Sequence, residues 1–211
     1  MPTSEKLLQL EEARKAVINC KDCTICANGT PVFGDGNPDT GLVFIGEAAG
    51  GEEVIKGSPF VGKAGQLFTS LAEQAGLYRK EHYFISNVVR CRPTTISAYG
   101  NVVNRPPDKD EIDNCRRHLH RLMAILKPKL IVCLGSPALK TIIGPSMKIT
   151  TSNGKLYNTC IYDVPAFALY HPSYLLRARL SADEKQVVEQ NYVEELKKVK
   201  RIWQALSSKE K

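Results

Sequence analysis

Short apolar runs recur along this chain, each followed by a turn and most then by a helical stretch: LVFIG at 42–46, YFISNVV at 83–89, LIVCLG at 130–135 and AFALY at 166–170. A continuous apolar run of this length marks a strand covered on both faces, whereas a strand with one wet face alternates. Residues 63–77 (KAGQLFTSLAEQAGL) read as a helix stopped near Gly76. PDKDEIDNCRRHLHRLMAILKP at 107–128 reads as a helix with acids first and bases later, which suits the macrodipole, and PALKTII at 137–143 as a short one. Such alternation predicts a parallel sheet with helices on both faces. The first 19 residues add a helix, periodic over 4–19 with Ser4 as its cap, and an amphipathic helix over 183–206 closes the chain. No repeat or linker divides residues 1–211, so the sequence reads as one domain.

Ligands of such folds sit beyond the carboxyl ends of the strands. The informative segments are therefore GEAAGGEE, NVVRCRP, GSP and HPSYLLRAR. A net charge of +7 and a pI near 9.0 favour a polyanionic partner, although lysines of the closing helix supply part of the excess. No apolar run reaches the ~18–20 residues that span a bilayer, and no signal peptide is present. The expectation is a cytoplasmic protein with no membrane partner.

Seven cysteines, an odd number, do not suit a secreted disulfide framework. Cys20 and Cys23 form a C-x-x-C, while Cys91 and Cys115 stand singly in polar settings near cations, where thiols tend to be deprotonated and ligating. They are either ordinary reduced cysteines of an intracellular protein or a four-thiolate set, suited to an iron–sulfur cluster or a structural zinc with no position left open for chemistry. Cys26 extends the motif to C-x-x-C-x-x-C and competes as a ligand. Cys133 and Cys160 read as strand residues.

In this order, GEAAGGEE, GSPFVGKAGQLF, YFISNVVRCRP, LIVCLGSPAL and HPSYLLR behind Cys20 and Cys23 resemble the family 4 uracil-DNA glycosylases, from about Cys20 to Arg179. The resemblance implies a three-layer α/β/α domain with a central four-stranded parallel sheet. It also implies a [4Fe–4S] cluster on Cys20, Cys23, Cys91 and Cys115, with Cys26 outside the set, and excision of uracil from DNA as a monofunctional, monomeric enzyme. His171 would donate to uracil O2 as the leaving anion forms, and Asn87 would read N3–H and O4. Phe60 would stack on the base. Glu47 would position the water or shape the wall that rejects thymine's methyl, with Ala48 beside it. Leu175 or Leu176 would fill the gap left by the flipped nucleotide. Ser173, Arg177 and Arg179 would hold phosphates, with Ser136, Lys56 and Lys63 as further contacts.

The sequence departs from the family in two places. Ala49 stands where the first motif usually has proline, and the segment around 94–104 is longer than usual. That segment carries no Lys or Arg, and no histidine lies between Cys91 and Cys115, which speaks against covalent capture of DNA as in one related group. Ala49 and the longer segment together motivate an alternative, a DNA-binding accessory protein that keeps the fold and has lost catalysis. A glycosylase for another deaminated base is a further one, and a redox protein built on the C-x-x-C is the weakest. No short motif points to a sliding clamp.

Overall fold

The computed structural model describes residues 3–159, 161–177 and 181–208; Cys160 and Arg179 lie outside the described residues. The strands are β1 (Asp35–Gly36), β2 (Leu42–Ala48), β3 (Phe84–Val89), β4 (Thr94–Ile96), β5 (Val102–Asn104), β6 (Leu130–Leu134), β7 (Leu156–Asn158) and β8 (Pro165–Leu169). The helices are α1 (Ser4–Ile18), α2 (Gly51–Lys56), α3 (Lys63–Gln74), α4 (Arg79–His82), α5 (Lys109–Leu126), α6 (Ser136–Ile142), α7 (Ile149–Ser152), α8 (Pro172–Arg177) and α9 (Ala182–Ser208). Among the described residues no helix is long and apolar enough to cross a membrane.

One sheet has the order β1-β3-β2-β6-β8-β7. Its inner strands β3, β2, β6 and β8 run parallel and correspond to the apolar runs of the sequence. The short edge strands β1 and β7 pair antiparallel, which the expected four-stranded sheet lacked. Both faces are covered, and residue alternation assigns each side chain to a layer. Val43, Ile45, Ile131 and Cys133 pack with α1, α5 and α6. Leu42, Phe44, Leu130 and Val132 pack with α3 and α9. Each such aliphatic or aromatic side chain contributes about 1.5–3 kcal/mol of transfer free energy, which is why these runs tolerate no polar interruption.

Local chemistry sets the helix ends. Thr3, not Ser4, caps α1, its Oγ1 accepting from the Lys6 N–H at 3.2 Å. Helix α5 opens with a reciprocal capping box between Asp108 and Glu111 and ends at Lys127 in a left-handed conformation, followed by Pro128. Strand β2 continues through Ala48, so Glu47 and Ala48 are strand residues and not loop residues as expected. The longer segment around 94–104 is an antiparallel hairpin, β4 with β5.

Candidate active site

Beyond the carboxyl ends of the parallel strands opens a cavity of about 640 Å³, whose walls include Glu47, Ala48, Phe60, Asn87, His171, Ser173 and Arg177. Parallel pairing of β2 with β3 sets Gly46 opposite Asn87. A β-carbon on Gly46 would stand 2.4 Å from Asn87 Oδ1 and 2.6 Å from Phe60 Cζ, so only glycine leaves room for both side chains. Asn87 is buried, and its backbone carbonyl accepts from Arg90 Nη1 at 2.7 Å. Its carboxamide makes no hydrogen bond to protein among the described residues and remains available to a ligand.

Phe60 occupies an unusual backbone position, with φ of 55°. A non-glycine residue there is strained unless the surroundings impose it. Here they do. Arg79 donates to the carbonyls of Pro59 and Phe60 at 2.9 and 3.2 Å. Glu53 Oε1 accepts from the Val61 and Gly62 N–H groups at 3.2 and 3.0 Å. Gly65 passes so close that a β-carbon on it would lie 2.1 Å from the Phe60 carbonyl carbon. The result is a buried ring 5.8 Å from the His171 ring, facing the same cavity.

His171 follows β8, and its Nδ1 accepts from the Ser173 N–H at 3.2 Å. That bond makes Nδ1 the lone-pair nitrogen and leaves Nε2 to carry the proton. Burial, aided by the nearby Arg177 cation, depresses its pKa to about 4, so the ring is a neutral donor at physiological pH. Ser173 Oγ lies 2.9 Å from the same Nδ1 and accepts from Arg177 Nη2 at 2.8 Å. Ser173 therefore orients the histidine as well as facing the cavity. Burial raises the Glu47 carboxyl above the ordinary glutamate range, opposed by Arg177.

Of the paired leucines, Leu175 is buried in the core against α9 and cannot part a base step; Leu176 is the exposed one. Lys56 pairs with Glu52 at 3.5 Å, whereas Lys63 lines the cavity. Ser136 is the first residue of α6 and is not among the cavity's lining residues. Ala49 is buried with Val32 and Val54, so the residue in proline's place is absorbed by packing.

A second, small cavity gathers the cysteines. Cys20, Cys23, Cys26, Cys91 and Cys115 all line it, with Arg90 and His118. Cys26, expected outside the set, is disulfide-bonded to Cys91, with Cα atoms 5.2 Å apart, and its Sγ lies 3.8 Å from that of Cys23. In this arrangement no group of His, Cys, Asp or Glu suited to hold a metal ion is present among the described residues. Cations do stand beside the thiols, with Arg117 Nη2 3.7 Å from Cys20 Sγ, yet burial raises the Cys115 thiol against Arg90, and burial with neighbouring thiols raises Cys23.

Several residues of these sites escaped the sequence reading. Arg90 is 1% exposed; its Nη1 donates to Ser86 Oγ and the Asn87 carbonyl, while Nε and Nη2 are buried without partners. Its backbone N–H donates to Cys115 Sγ at 3.3 Å, so this residue touches both sites. His118 lies one turn beyond Cys115 on α5, a spacing that could have flagged it. Glu53, Asn104 and Arg105 also line the larger cavity; Glu53 closes GEAAGGEE without having been singled out, and the other two lie in no motif.

Residues 33–206 match the family model described as Uracil DNA glycosylase superfamily. The chain is 37% identical over 191 residues to a type-4 uracil-DNA glycosylase of Thermotoga maritima, covering 90% of this chain and 93% of that one. It is 36% identical over 194 residues to the type-4 enzyme of Sulfurisphaera tokodaii (85% and 84% covered) and 34% over 192 residues to that of Archaeoglobus fulgidus (85% and 92%). The crystal structure of Pedobacter heparinus SMUG2 superposes with a TM-score of 0.54 at 15% identity over 79% of this chain and 77% of that one, which speaks to the fold alone. With the match spanning the whole sheet and every strand end that builds the cavity, the chain belongs to the uracil DNA glycosylase superfamily and, within it, to the type-4 family.

Proposed function

We propose that this protein hydrolyses the N-glycosidic bond of deoxyuridine in DNA, releasing uracil and leaving an abasic site for base excision repair. The observation that carries the reading is the convergence of His171, Asn87, Phe60 and Glu47 on one cavity, with a neutral histidine donor and an unpaired carboxamide. A duplex hides the bond, so the nucleotide is extruded and read inside the cavity. Phe60 stacks on the base and Asn87 meets its Watson–Crick edge. His171 donates through Nε2–H to O2, where charge develops as the bond breaks. Glu47, with Ala48 beside it, holds the attacking water at the sugar. Outside the cavity, Ser173 and Arg177 meet phosphate and Leu176 fills the vacated stack; Arg179 is assigned to phosphate from its position in HPSYLLRAR alone. All these groups come from one chain, which supports action as a monomer on DNA. The packing of Ala49 with Val32 and Val54 accommodates the residue in proline's place, which supports a working site over a silent accessory protein.

Multiple-turnover release of uracil from an oligonucleotide carrying one uracil, with no release of thymine from its partner, is the expected result. Product that never exceeds the enzyme would overturn the reading. The pH profile tests Glu47. A raised carboxyl is protonated at higher pH than an ordinary one, so turnover that needs the carboxylate is lost as pH falls through that raised value. Glu47→Gln is expected to be slow throughout and to lack this limb; an unchanged limb would remove Glu47 from the water.

The cysteine cavity is assigned to a [4Fe–4S] cluster held by Cys20, Cys23, Cys91 and Cys115. With the Cys26–Cys91 disulfide reduced, the donor set fits: soft sulfur ligands crowd one small cavity beside a fully buried guanidinium with unpartnered N–H groups, and a buried cation calls for negative charge. When bound, the cluster supplies a covalent staple and no chemistry to the glycosidic bond. Protein prepared without oxygen is expected to show the broad blue–violet absorbance of an iron–sulfur centre. Cys91→Ser should lose it and Cys26→Ser should keep it. The reverse would exchange the two ligands, and zinc without visible absorbance would overturn the cluster.

A further inference from the structure

The β4–β5 hairpin has no part in the site as described, yet it grows from the site's rim. Pro93, Asn104 and Arg105 at its base line the larger cavity. The base is rigid: Arg92 Nε donates to Asn104 Oδ1 at 2.7 Å, Arg105 Nε donates to the Thr94 carbonyl at 3.1 Å, and Arg105 is paired with the Glu111 carboxylate. The tip is closed by the Ser97 N–H donating to the Asn101 carbonyl at 2.8 Å, with Gly100 at φ 78°.

Its exposed surface is uncharged, and apolar side chains make up much of it. Tyr99 at the tip is 91% exposed, and Ile96 and Val102 are 66% and 56% exposed. Ile96 and Val102 are directly paired across the ribbon, and by alternation they share a face with Thr94 and Asn104. That face thus runs from the cavity rim to the tip. A two-stranded ribbon standing on its own is marginal in water, and leaving aliphatic and aromatic side chains on it adds no stability. Residues 94–104 contain no charged side chain in a protein of net charge +7. The arm is therefore ill suited to phosphates and well suited to bases, whose flat faces stack on aromatic rings.

We propose that the hairpin is a stacking arm for unpaired bases of the strand that carries the uracil, with Tyr99 as its principal platform. The proposal rests on the glycosylase reading of the cavity. Asn104 and the tip are separated by a rise of about 10 Å at roughly 3.3 Å per residue. At about 3.4 Å per base step this reaches two or three nucleotides from the flipped one. In duplex DNA those bases are stacked on each other and hidden, so the arm favours single-stranded substrate.

The test compares native protein with Tyr99→Ala and Tyr99→Trp on a longer single strand, on the same strand as a duplex, and on a minimal oligonucleotide ending just beyond the uracil. Tyr99→Ala is expected to raise KM on the longer single strand by about 5- to 150-fold, the range seen when a stacking aromatic is removed. Its kcat, its KM on the minimal substrate and its thermal midpoint should stay at native values. Tyr99→Trp should restore KM. With 2-aminopurine placed at successive positions beside the uracil, the native protein should quench one or two neighbouring positions and Tyr99→Ala should not. Native KM and native quenching in Tyr99→Ala would overturn the arm, as would an equal loss on the minimal substrate. Absence of uracil release by the native protein from every substrate would instead overturn the glycosylase reading on which the arm depends.

Discussion

Replacing His171 with alanine is expected to lower turnover on uracil-containing DNA by about 10²–10³, the scale of losing one preorganised donor to a developing anion. DNA affinity should stay near the native value, because Arg177 and Leu176 remain on the neighbouring turn. The donor is neutral: burial and Arg177 hold its pKa near 4, and the Ser173 N–H occupies Nδ1. Native turnover should accordingly show no inflection from this histidine around neutrality. Single-turnover rates with excess enzyme separate the chemical step from binding. Unchanged single-turnover rates would remove His171 from the leaving group.

For Asn87→Asp the expected result is a collapse of selectivity. In the orientation proposed for it, the Asn87 carboxamide accepts from uracil N3–H and donates to O4. Cytosine opposes it at both places, and each opposed pair leaves a buried group unsatisfied at about 1–3 kcal/mol. Aspartate removes the donor. Uracil release should fall, and the preference for uracil over cytosine should shrink by about 5- to 150-fold, the equivalent of one such pair. Competition between the two substrates in one reaction measures the ratio directly. Because the Asn87 backbone is fixed through Arg90, the substituted side chain should occupy the same place, and a retained preference would reassign base reading to another group.

The sheet was legible because its inner strands are covered on both faces and must be continuously apolar. The edges were not: Asp35–Gly36 and Leu156–Asn158 pair on one side only and carry no such pattern. His171 could be found since it follows an apolar run, and Phe60 since a large ring in a Gly-rich loop lacks a packing reason; Asn87 lies inside its run, ahead of Val88 and Val89, and is legible only through the family resemblance. Arg90 could not. An arginine before a cysteine reads as an exposed cation, and only the tertiary structure reveals a buried guanidinium beside both the cysteines and Asn87. The pair Leu175–Leu176 shows the same limit, since helix phase decides which leucine faces solvent. Cys26 defeats spacing arguments altogether, because its distance from Cys91 depends on how the turn at Thr24–Asn28 lies against β3.

The left-handed backbone of Phe60 sets when the cost of recognition is met. A strained residue of this kind stores about 1–3 kcal/mol, and the bonds from Arg79 and to Glu53 offset it while the chain folds, before any DNA is present. On the proposed reading, an arriving uracil finds its stacking wall already held in place and loses little of its binding free energy to ordering a loop. The same rigidity limits what the pocket admits: a larger base cannot gain entry by swinging the ring aside unless Phe60 gives up the contacts that hold its backbone. Selection by size is in this sense a property of the fold, set before the substrate arrives.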